Sequence, residues 1–313
     1  MTVNYLVTGG AGFIGSNIVR QLLKINSNVK IIDNLSTGNI NNIKDIFSDL
    51  DFIKGDIRDI HIVNKAMKGI DYVLHQAALP SVPRSIKNPV ESNENNITGT
   101  LNVLLSARDN GIKRVVYASS SSVYGDTPTL PKKEDMTPSP LSPYALTKLT
   151  GEHYCKIFSS VYGLQTISLR YFNIFGPGQN PESQYAAVIP KFIESLLRGK
   201  PPVVYGNGNQ TRDFTFVDNA VSANILACQT EKTSGETVNI ATGVQTSLNQ
   251  LIQILKEITN LNIPAQYDSP REGDILHSLA DLSLANKLLG YKPVIHLKEG
   301  LQKSVKWMKT YYQ

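Results

Sequence analysis

Residues 3–15 read Val-Asn-Tyr-Leu-Val-Thr-Gly-Gly-Ala-Gly-Phe-Ile-Gly, a short apolar run that passes directly into a glycine-rich turn. Gly9, Gly12 and Gly15 form a G-x-x-G-x-x-G motif between a predicted strand and a predicted helix. Glycine permits a tight turn, lets the backbone approach a pyrophosphate, and lets helix and strand pack closely. The amino end of the helix adds unpaired N–H groups and a positive dipole. The stretch therefore predicts a dinucleotide-binding turn.

The chain that follows alternates β-branched runs with longer helical patterns, which is typical of a parallel sheet covered by helices on both faces. The predicted strands are residues 3–7, 29–32, 51–54, 72–74, 114–118 and 166–169. The predicted helices are residues 13–24, 59–68, 89–109 and 143–162. The pattern predicts an α/β fold, a Rossmann-type doubly wound parallel sheet.

The sequence becomes less regular after residue 175, where Gly and Pro clusters such as Gly176-Pro177-Gly178 predict loops. We predict an NAD-binding Rossmann domain over residues 1–175 and a smaller mixed α/β, substrate-binding lobe over residues 176–313. Short strands at 213–217 and 237–240 are expected to return to the main sheet. A lobe above the carboxyl edge of that sheet would form a cleft, where ligands bind in open α/β folds.

An acidic residue at the end of the second predicted strand indicates which dinucleotide binds. Asp33 lies 18 positions after Gly15, where a carboxylate can accept both ribose hydroxyls of the adenosine and would repel a 2′-phosphate. The sequence therefore favours NAD over NADP. Asp56 follows the third strand and is expected either to meet the adenine edge or to be a turn residue.

Composition excludes several other classes of protein. The chain has 313 residues, is 18% charged and carries a net charge of +5 spread without runs, so no nucleic-acid partner is expected. Cys155 and Cys228 stand far apart, which argues against a zinc site or a disulfide framework and favours a reducing compartment. No apolar stretch approaches the roughly 20 residues that cross a membrane, and the amino end lacks a signal pattern. A cytoplasmic protein without metal is expected.

A tyrosine and a lysine on one predicted helix form the candidate catalytic pair. Ser142 is a predicted N-cap and Pro143 the first helical residue, so Tyr144 falls in the first turn with Lys148 four residues on, on the same face. A phenol is a poor base at neutral pH, but a neighbouring ammonium, a helix amino end and an oxidised nicotinamide each stabilise phenolate. Y-x-x-x-K also occurs by chance in helices. Four serines at positions 119–122, after the fifth strand, favour the catalytic interpretation because a hydroxyl there can share the proton.

These motifs together resemble the extended short-chain dehydrogenase/reductase superfamily, and within it the UDP-hexose 4-epimerases, closest to the UDP-N-acetylglucosamine 4-epimerase group. The resemblance covers nearly the whole chain. Its further markers are Asp33-Asn34, Gly55-Asp56-Ile57, His75-Gln76-Ala77-Ala78, Asn95-Asn96, Ser120-Ser121-Ser122-Val123-Tyr124-Gly125, Leu169-Arg170-Tyr171-Phe172-Asn173, Arg212-Asp213-Phe214 and Arg271-Glu272-Gly273-Asp274.

The resemblance implies roles for individual residues. Tyr144 would remove the proton of the sugar 4-hydroxyl, Ser120 would be its hydrogen-bond partner, and Lys148 would contact the nicotinamide ribose. The resulting 4-keto sugar would turn about its anchored diphosphate, and return of the hydride to the other face would invert C4. The further cofactor contacts implied are Phe13, Ile14, Asn34, Ser36, Gly38, Ile57, Gln76, Ala77, Ala78, Asn96, Ser119 and Tyr171. The further substrate contacts implied are Ser121, Ser122, Asn173, Gln179, Ala187, Val188, Tyr205, Arg212, Arg271, Asp274 and Ser278.

Two positions discriminate between branches of the superfamily. The 4,6-dehydratases and UDP-glucuronate decarboxylases carry an acid where this chain has Ser122, so an epimerase is favoured. A tyrosine at the position of Ser278 excludes an N-acetyl group and a small residue admits it. The resemblance thus implies UDP-GlcNAc/UDP-GalNAc as preferred substrates, with UDP-Glc/UDP-Gal also accepted. UDP-hexuronates remain an alternative, whereas a GDP-sugar enzyme would need NADPH and a non-enzymatic NAD-binding regulator would predict damaged motifs.

The resemblance also implies a homodimer. Helices near residues 89–109 and 143–162 correspond to the pair that forms a four-helix bundle between subunits in this superfamily.

Overall fold

The computed structural model describes residues 2–180, 187–232, 234–270 and 275–312 of the chain. The strands are β1 (Asn4–Thr8), β2 (Asn28–Asp33), β3 (Asp51–Lys54), β4 (Tyr72–His75), β5 (Arg114–Ser120), β6 (Thr166–Tyr171), β7 (Ile174–Phe175), β8 (Val203–Tyr205), β9 (Thr211–Asp213), β10 (Thr215–Phe216), β11 (Glu236–Ile240), β12 (Gln245–Ser247) and β13 (Gln266–Asp268). The α-helices are α1 (Phe13–Lys24), α2 (Ile60–Met67), α3 (Val82–Lys87), α4 (Pro89–Asn93), α5 (Gly99–Asp109), α6 (Pro143–Tyr162), α7 (Val188–Leu197), α8 (Val217–Gln229), α9 (Leu248–Thr259), α10 (Ser283–Leu289) and α11 (Leu297–Tyr311). Short 3-10 helices span Ile40–Asn42, Lys44–Asp49 and Ser121–Tyr124.

A seven-stranded parallel sheet forms the centre of the molecule, in the order β11-β6-β5-β4-β1-β2-β3. The chain builds β1, β2 and β3 outward and then crosses back to place β4 on the other side of β1. The carboxyl ends of β1 and β4 therefore flank the point where the strand order reverses, which is where ligands bind in such sheets.

Alternate residues of the strands enter two different hydrophobic cores. Leu6 and Ile32 pack with α2 and α5 on one face, whereas Val7 and Ile31 pack with α1 and α8 on the other. Because both faces are covered, the strands are apolar along their whole length rather than alternating with polar residues. The structure confirms the predicted Rossmann-type α/β fold.

One predicted strand does not join the main sheet. Residues 213–217 form parts of β9 and β10, which pair with β12 and β7 in separate two-stranded sheets. The outer edge of β6 is already occupied, since β11 pairs with it over five residues and confirms the predicted return at 237–240. Asp213 instead has a fully buried carboxylate that accepts hydrogen bonds from Thr242, Gly243 and Ala280.

The predicted helix at 89–109 is interrupted by a π-helical turn at Glu94–Thr98, between α4 and α5. Such turns are frequent at functional sites because they redirect side chains. Here the turn buries Asn95 and Asn96, and Asn96 lies close to the carboxyl end of β4 through its bonds to Leu79.

None of the described helices is both long enough and apolar enough to cross a bilayer.

Candidate active site

The glycine turn after β1 leaves backbone donors at the carboxyl edge of the sheet. Gly9 has a φ of +69°, and the Gly12 N–H bonds to the Gly9 carbonyl at 3.0 Å. A Cβ on Gly15 would lie 2.2 Å from the Gly9 oxygen, so α1 can approach β1 this closely only without one. No side chain caps the amino end of α1. Its first N–H groups are therefore available to an anion.

The carboxylate of Asp33 is held in place at the end of β2. It is 6% exposed and accepts hydrogen bonds from the Ala11 N–H at 3.0 Å and the Leu35 N–H at 2.8 Å. Burial raises the pKa of Asp33, while these two bonds lower it. Gly38 packs directly on this group, because a Cβ there would lie 2.9 Å from both carboxylate oxygens. Lone pairs of both oxygens remain to accept from a diol.

The turn and Asp33 line one cavity of about 280 Å³ that runs along the carboxyl edge of the sheet. Most of the predicted cofactor residues line it. They are Gly9, Gly12, Phe13, Ile14, Gly15, Asp33, Asn34, Ser36, Gly38, Ile57, Gln76, Ala77, Ala78, Ser119, Tyr144, Lys148 and Tyr171. An elongated cavity with an uncapped helix end and a buried carboxylate fits a dinucleotide.

Two predicted cofactor residues, Asp56 and Asn96, do not line this cavity. Asp56 pairs with Arg58 at 2.8 Å and accepts from the Asn34 side chain at 2.9 Å. The Arg58 guanidinium lowers the pKa of Asp56 to about 2. Asn96 bonds to the Leu79 N–H and carbonyl. Both residues support the cavity through a neighbour that lines it.

The sequence missed seven residues of the cavity wall. They are Ile32, Thr37, Gly55, Leu79, Pro80, Asn95 and Ala118. Several directly follow or precede a predicted residue at a strand end, so their positions at the carboxyl edge could have indicated them.

The amino end of α6 places the candidate catalytic pair at the cavity. Ser142 caps the helix by accepting from the Ala145 N–H at 3.1 Å, and Pro143 is the first helical residue, as predicted. The Lys148 ammonium donates to the Ala118 carbonyl at 2.7 Å and lies 5.9 Å from the centre of the Tyr144 ring. The Ser120 side chain lies close enough to the Tyr144 phenol to lower its pKa. Phenol, ammonium and hydroxyl thus converge at the end of β5.

Burial opposes the charged form of both members of this pair. It raises the pKa of Tyr144, with the Ser120 side chain acting in the other direction. It also lowers the pKa of Lys148 to about 8, with Glu152 acting in the other direction. Among the protein groups, burial is the larger influence on Tyr144 and favours the protonated phenol. Positive charge near the phenol, such as the Lys148 ammonium or an oxidised nicotinamide, favours the phenolate and would oppose this effect of burial.

A second cavity of about 250 Å³ lies under the chain that follows β6. It is lined by predicted substrate residues together with apolar ones from β7, β8 and α9. These are Asn173, Ile174, Phe175, Ala187, Val188, Ile189, Val203, Tyr205, Gln210, Arg212, Phe214 and Leu248. Seven of them were not predicted as substrate contacts, because no local pattern distinguishes them from core residues: Ile174, Phe175, Ile189, Val203, Gln210, Phe214 and Leu248.

The remaining predicted substrate residues lie near these two cavities or outside the described residues. Gln179 donates to the Ile174 carbonyl at 3.4 Å, and the Ser278 N–H bonds to the Thr211 carbonyl at 3.1 Å. Ser121 and Ser122 belong to the 3-10 helix after β5. Arg271 and Asp274 fall outside the described ranges.

Among the described residues, no group of three or more His, Cys, Asp or Glu side chains is placed to hold a metal ion.

Comparisons with known proteins agree along the whole chain. Residues 5–241 match the model of the NAD dependent epimerase/dehydratase family. A putative UDP-glucose 4-epimerase of Methanocaldococcus jannaschii is 44% identical over 97% of this chain and 98% of that protein. The structure of a UDP-N-acetylglucosamine 4-epimerase from Methanobrevibacter ruminantium in complex with UDP-N-acetylmuramic acid is 43% identical, with a TM-score of 0.95 over 99% of this chain and 100% of that one. A UDP-glucuronic acid 4-epimerase from Bacillus cereus in complex with UDP-glucuronic acid and NAD is 34% identical, with a TM-score of 0.91 over the same shares of the two chains.

Proposed function

The chain belongs to the NAD dependent epimerase/dehydratase family and is an NAD-dependent UDP-sugar 4-epimerase, and from that premise we propose that its preferred substrates are UDP-GlcNAc and UDP-GalNAc, with UDP-Glc and UDP-Gal also accepted. The observation that carries the catalytic part is the convergence of Tyr144, Lys148 and Ser120 at the end of β5. We further propose residues 1–175 as the cofactor domain and residues 176–313 as the sugar-binding lobe.

In the proposed reaction the protein moves a proton at one sugar oxygen. Tyr144 removes the proton of the 4-hydroxyl, and Ser120, which lies close to the phenol, holds that oxygen. Lys148 keeps its ammonium beside the phenol and thereby stabilises the phenolate. NAD held by the glycine turn and Asp33 would supply the acceptor for the hydride of C4. Inversion then requires that the sugar turn while its diphosphate stays fixed.

The second cavity is suited to anchor that diphosphate and its uridine. Arg212 on β9 lines it and is oriented by bonds to the Thr211 and Leu276 carbonyls at 2.9 and 3.3 Å. Guanidinium groups recognise phosphate through paired donors. Asn173, which follows β6 and has a φ of +39°, also lines this cavity, and its side-chain amide donates to the Asp213 carbonyl at 3.3 Å. Tyr205 offers an aromatic ring for the base.

The proposed preference for N-acetyl sugars rests on Ser278. Its small side chain stands where the family has a tyrosine in enzymes that exclude the N-acetyl group. The Ser278 N–H donates to the carbonyl of Thr211 on β9. Thr211 lies two residues before the buried Asp213. A hydroxyl also leaves a hydrogen-bonding group for an amide. UDP-hexuronate is the second candidate, because a relative of similar fold binds UDP-glucuronic acid.

The proposal is tested by incubating the purified protein with UDP-GlcNAc, UDP-Glc or UDP-glucuronate and following the 4-epimers by NMR. We expect fastest conversion to UDP-GalNAc, slower conversion of UDP-Glc, and no change in the hexuronate. Faster conversion of UDP-glucuronate would replace the N-acetyl proposal with the second candidate. A 4-keto-6-deoxy product would instead identify a dehydratase, in which case Ser122 would not have the discriminating role assigned to it.

Replacing Ser278 by tyrosine is expected to lower kcat/KM for UDP-GlcNAc by roughly 10²-fold or more, because the larger ring fills the space proposed for the acetamido group. Turnover of UDP-Glc should change much less. The ratio of the two kcat/KM values, measured on the same preparation, checks this. Equal losses on both sugars would contradict the proposed location of the acetamido group.

We also propose that the chain forms a homodimer through α4 and α6. Leu146, Ile157 and Val161 of α6 and Val90 of α4 are large apolar side chains that are between 47% and 66% exposed. Burying such side chains against a second copy would stabilise the assembly. Light scattering coupled to size exclusion should give about twice the 34.4 kDa chain mass. A monomer at all concentrations would contradict this proposal.

A further inference from the structure

A buried ion pair lies directly behind the wall of the cofactor cavity. The carboxylate of Glu152 accepts from Nε of Arg170 at 2.9 Å and from its Nη2 at 2.7 Å. The two side chains are only 6% and 4% exposed. Desolvating two charges is expensive, and apolar residues of similar volume are often at least as stabilising. A contribution to the free energy of folding therefore does not by itself account for this pair.

The geometry connects this pair to the catalytic helix and to the strand end. Tyr144, Lys148 and Glu152 follow one another at four-residue steps along α6, so they lie on one face of the helix. Glu152 also accepts a hydrogen bond from the Ser119 hydroxyl at 2.5 Å. Ser119 follows Ala118, whose carbonyl accepts from the Lys148 ammonium. Lys148 and Glu152 thus hold two successive residues of β5.

Close packing of α6 on β5 fixes this arrangement. A Cβ on Gly151 would lie 2.2 Å from the Tyr117 hydroxyl, so only glycine permits the helix to approach the strand this far. Tyr117 in turn places its ring 5.1 Å from the Lys148 ammonium. The ammonium is thereby enclosed between the helix and the strand.

The other titratable groups that face Lys148 carry no charge near neutral pH. Burial raises the pKa of Tyr144 on α6 and of Tyr117 on β5. Burial lowers the pKa of His75 on β4 to about 3. Burial also lowers the pKa of Lys148 itself, while Glu152 raises it.

Several titratable or charged groups lie further from Lys148. Burial raises the pKa of Cys155, which faces Glu152 from the same helix, to about 12. Three charged side chains on the elements packed on α6 are bonded to other residues: Glu91 accepts from the Asn88 side chain, Glu94 pairs with Arg58, and Arg108 pairs with Asp109. Helix α3, which also packs on α6, carries Arg84 and Lys87 in its last turn, and Lys87 is exposed.

We propose that Glu152 is a positioning residue: its carboxylate, fixed by Arg170 and Ser119, keeps Lys148 protonated inside the cavity and holds the end of β5 that carries Ser120. The proposal rests on the proposed function, because it deepens the role of the same catalytic pair. Arg170 holds the carboxylate through two hydrogen bonds, and its guanidinium stays charged at any physiological pH. Glu152 in turn supplies the negative charge that favours the ammonium over the amine.

The test compares the titration of Lys148 in the parent protein and in Glu152→Gln, both loaded with NAD. Lysine ε-carbons are labelled with 13C, and the Lys148 signal is assigned by its absence in Lys148→Met. Glutamine keeps the size and an acceptor but removes the charge. We expect the midpoint of Lys148 to fall by about one pH unit or more in the variant. An unchanged or higher midpoint overturns the proposal.

Activity provides a second readout that a merely structural role would not move. A lower midpoint means that Lys148 loses its charge at a lower pH. The kcat ratio of parent to Glu152→Gln should therefore grow between pH 6 and pH 8, with the KM for the UDP-sugar little changed. A loss of equal size at every pH overturns the proposal. If the parent itself converts no UDP-sugar, the proposed function fails, while the NMR titration still decides the role of Glu152.

Two further variants serve as a matched control and as a substitute should Glu152→Gln fail to fold. Glu134→Gln is the matched control, because Glu134 is another largely buried acid near Arg170, and it bonds to the Asn239 N–H at 2.7 Å rather than to β5. Its Lys148 midpoint should equal that of the parent, and an equal fall would overturn the proposal. If Glu152→Gln does not fold, Glu152→Gln with Arg170→Gln removes both charges together. The midpoint should still fall below that of the parent, and an unchanged midpoint again overturns it.

Discussion

Replacing Tyr144 by phenylalanine is expected to lower kcat for C4 epimerisation by roughly 10²–10⁴-fold, the range for loss of a general base. Phenylalanine removes the hydroxyl that Ser120 influences and keeps the ring, whose centre lies 5.9 Å from the Lys148 ammonium. The KM for the UDP-sugar should change little, since the diphosphate is proposed to bind in the other cavity. Initial rates with UDP-GlcNAc, together with NAD content measured after purification, check both statements.

Tyr117→Phe is the matched control for this experiment. Tyr117 is also a buried tyrosine beside Lys148, with its ring 5.1 Å from the ammonium, but it belongs to the middle of β5 rather than to the cavity wall. Removing its hydroxyl should leave kcat within a few-fold of the parent. If Tyr144→Phe retained parental activity, or if both variants lost it equally, Tyr144 would not be the base.

Features decided by contiguous residues could be predicted from the sequence. The turn between β1 and α1 needs glycine at fixed spacing, and the start of α6 needs a serine followed by proline. Both were predicted at the residues where the structure has them. The Rossmann-type fold follows from the same local patterns repeated along the chain.

Features decided by distant partners could not be predicted. Residues 213–217 have strand-like composition, but their pairing depends on β11 having already covered β6. The π-helical turn that bonds Asn96 to Leu79 has no signature in the local sequence. Glu152 lies four residues after Lys148, which could have indicated it. Its burial with Arg170 and Ser119 is visible only in three dimensions.

The same close contacts that made the glycine turn recognisable predict a large effect on stability. Replacing Gly15 by alanine is expected to lower the free energy of unfolding by about 1–3 kcal/mol or more, the range for overpacking a tight core. The new Cβ would lie 2.2 Å from the Gly9 oxygen and 2.9 Å from the Gly10 Cα. Both are backbone atoms, so relief requires that α1 move away from β1. Urea denaturation measured without added NAD checks the loss.

Gly12→Ala is the control for the effect of Gly15→Ala on the free energy of unfolding. Its Cβ would approach a single atom, the Gly9 oxygen, at 3.1 Å, so its loss of stability should be smaller than that of Gly15→Ala. Moving α1 would also displace the uncapped N–H groups that are expected to bind the pyrophosphate. Gly15→Ala should therefore bind NAD at least about tenfold more weakly than the parent. Added NAD should consequently raise its midpoint of unfolding less than that of the parent. Parental stability in Gly15→Ala would mean that the turn can open at little cost, and that its glycines serve contact with the ligand rather than the packing of α1 on β1.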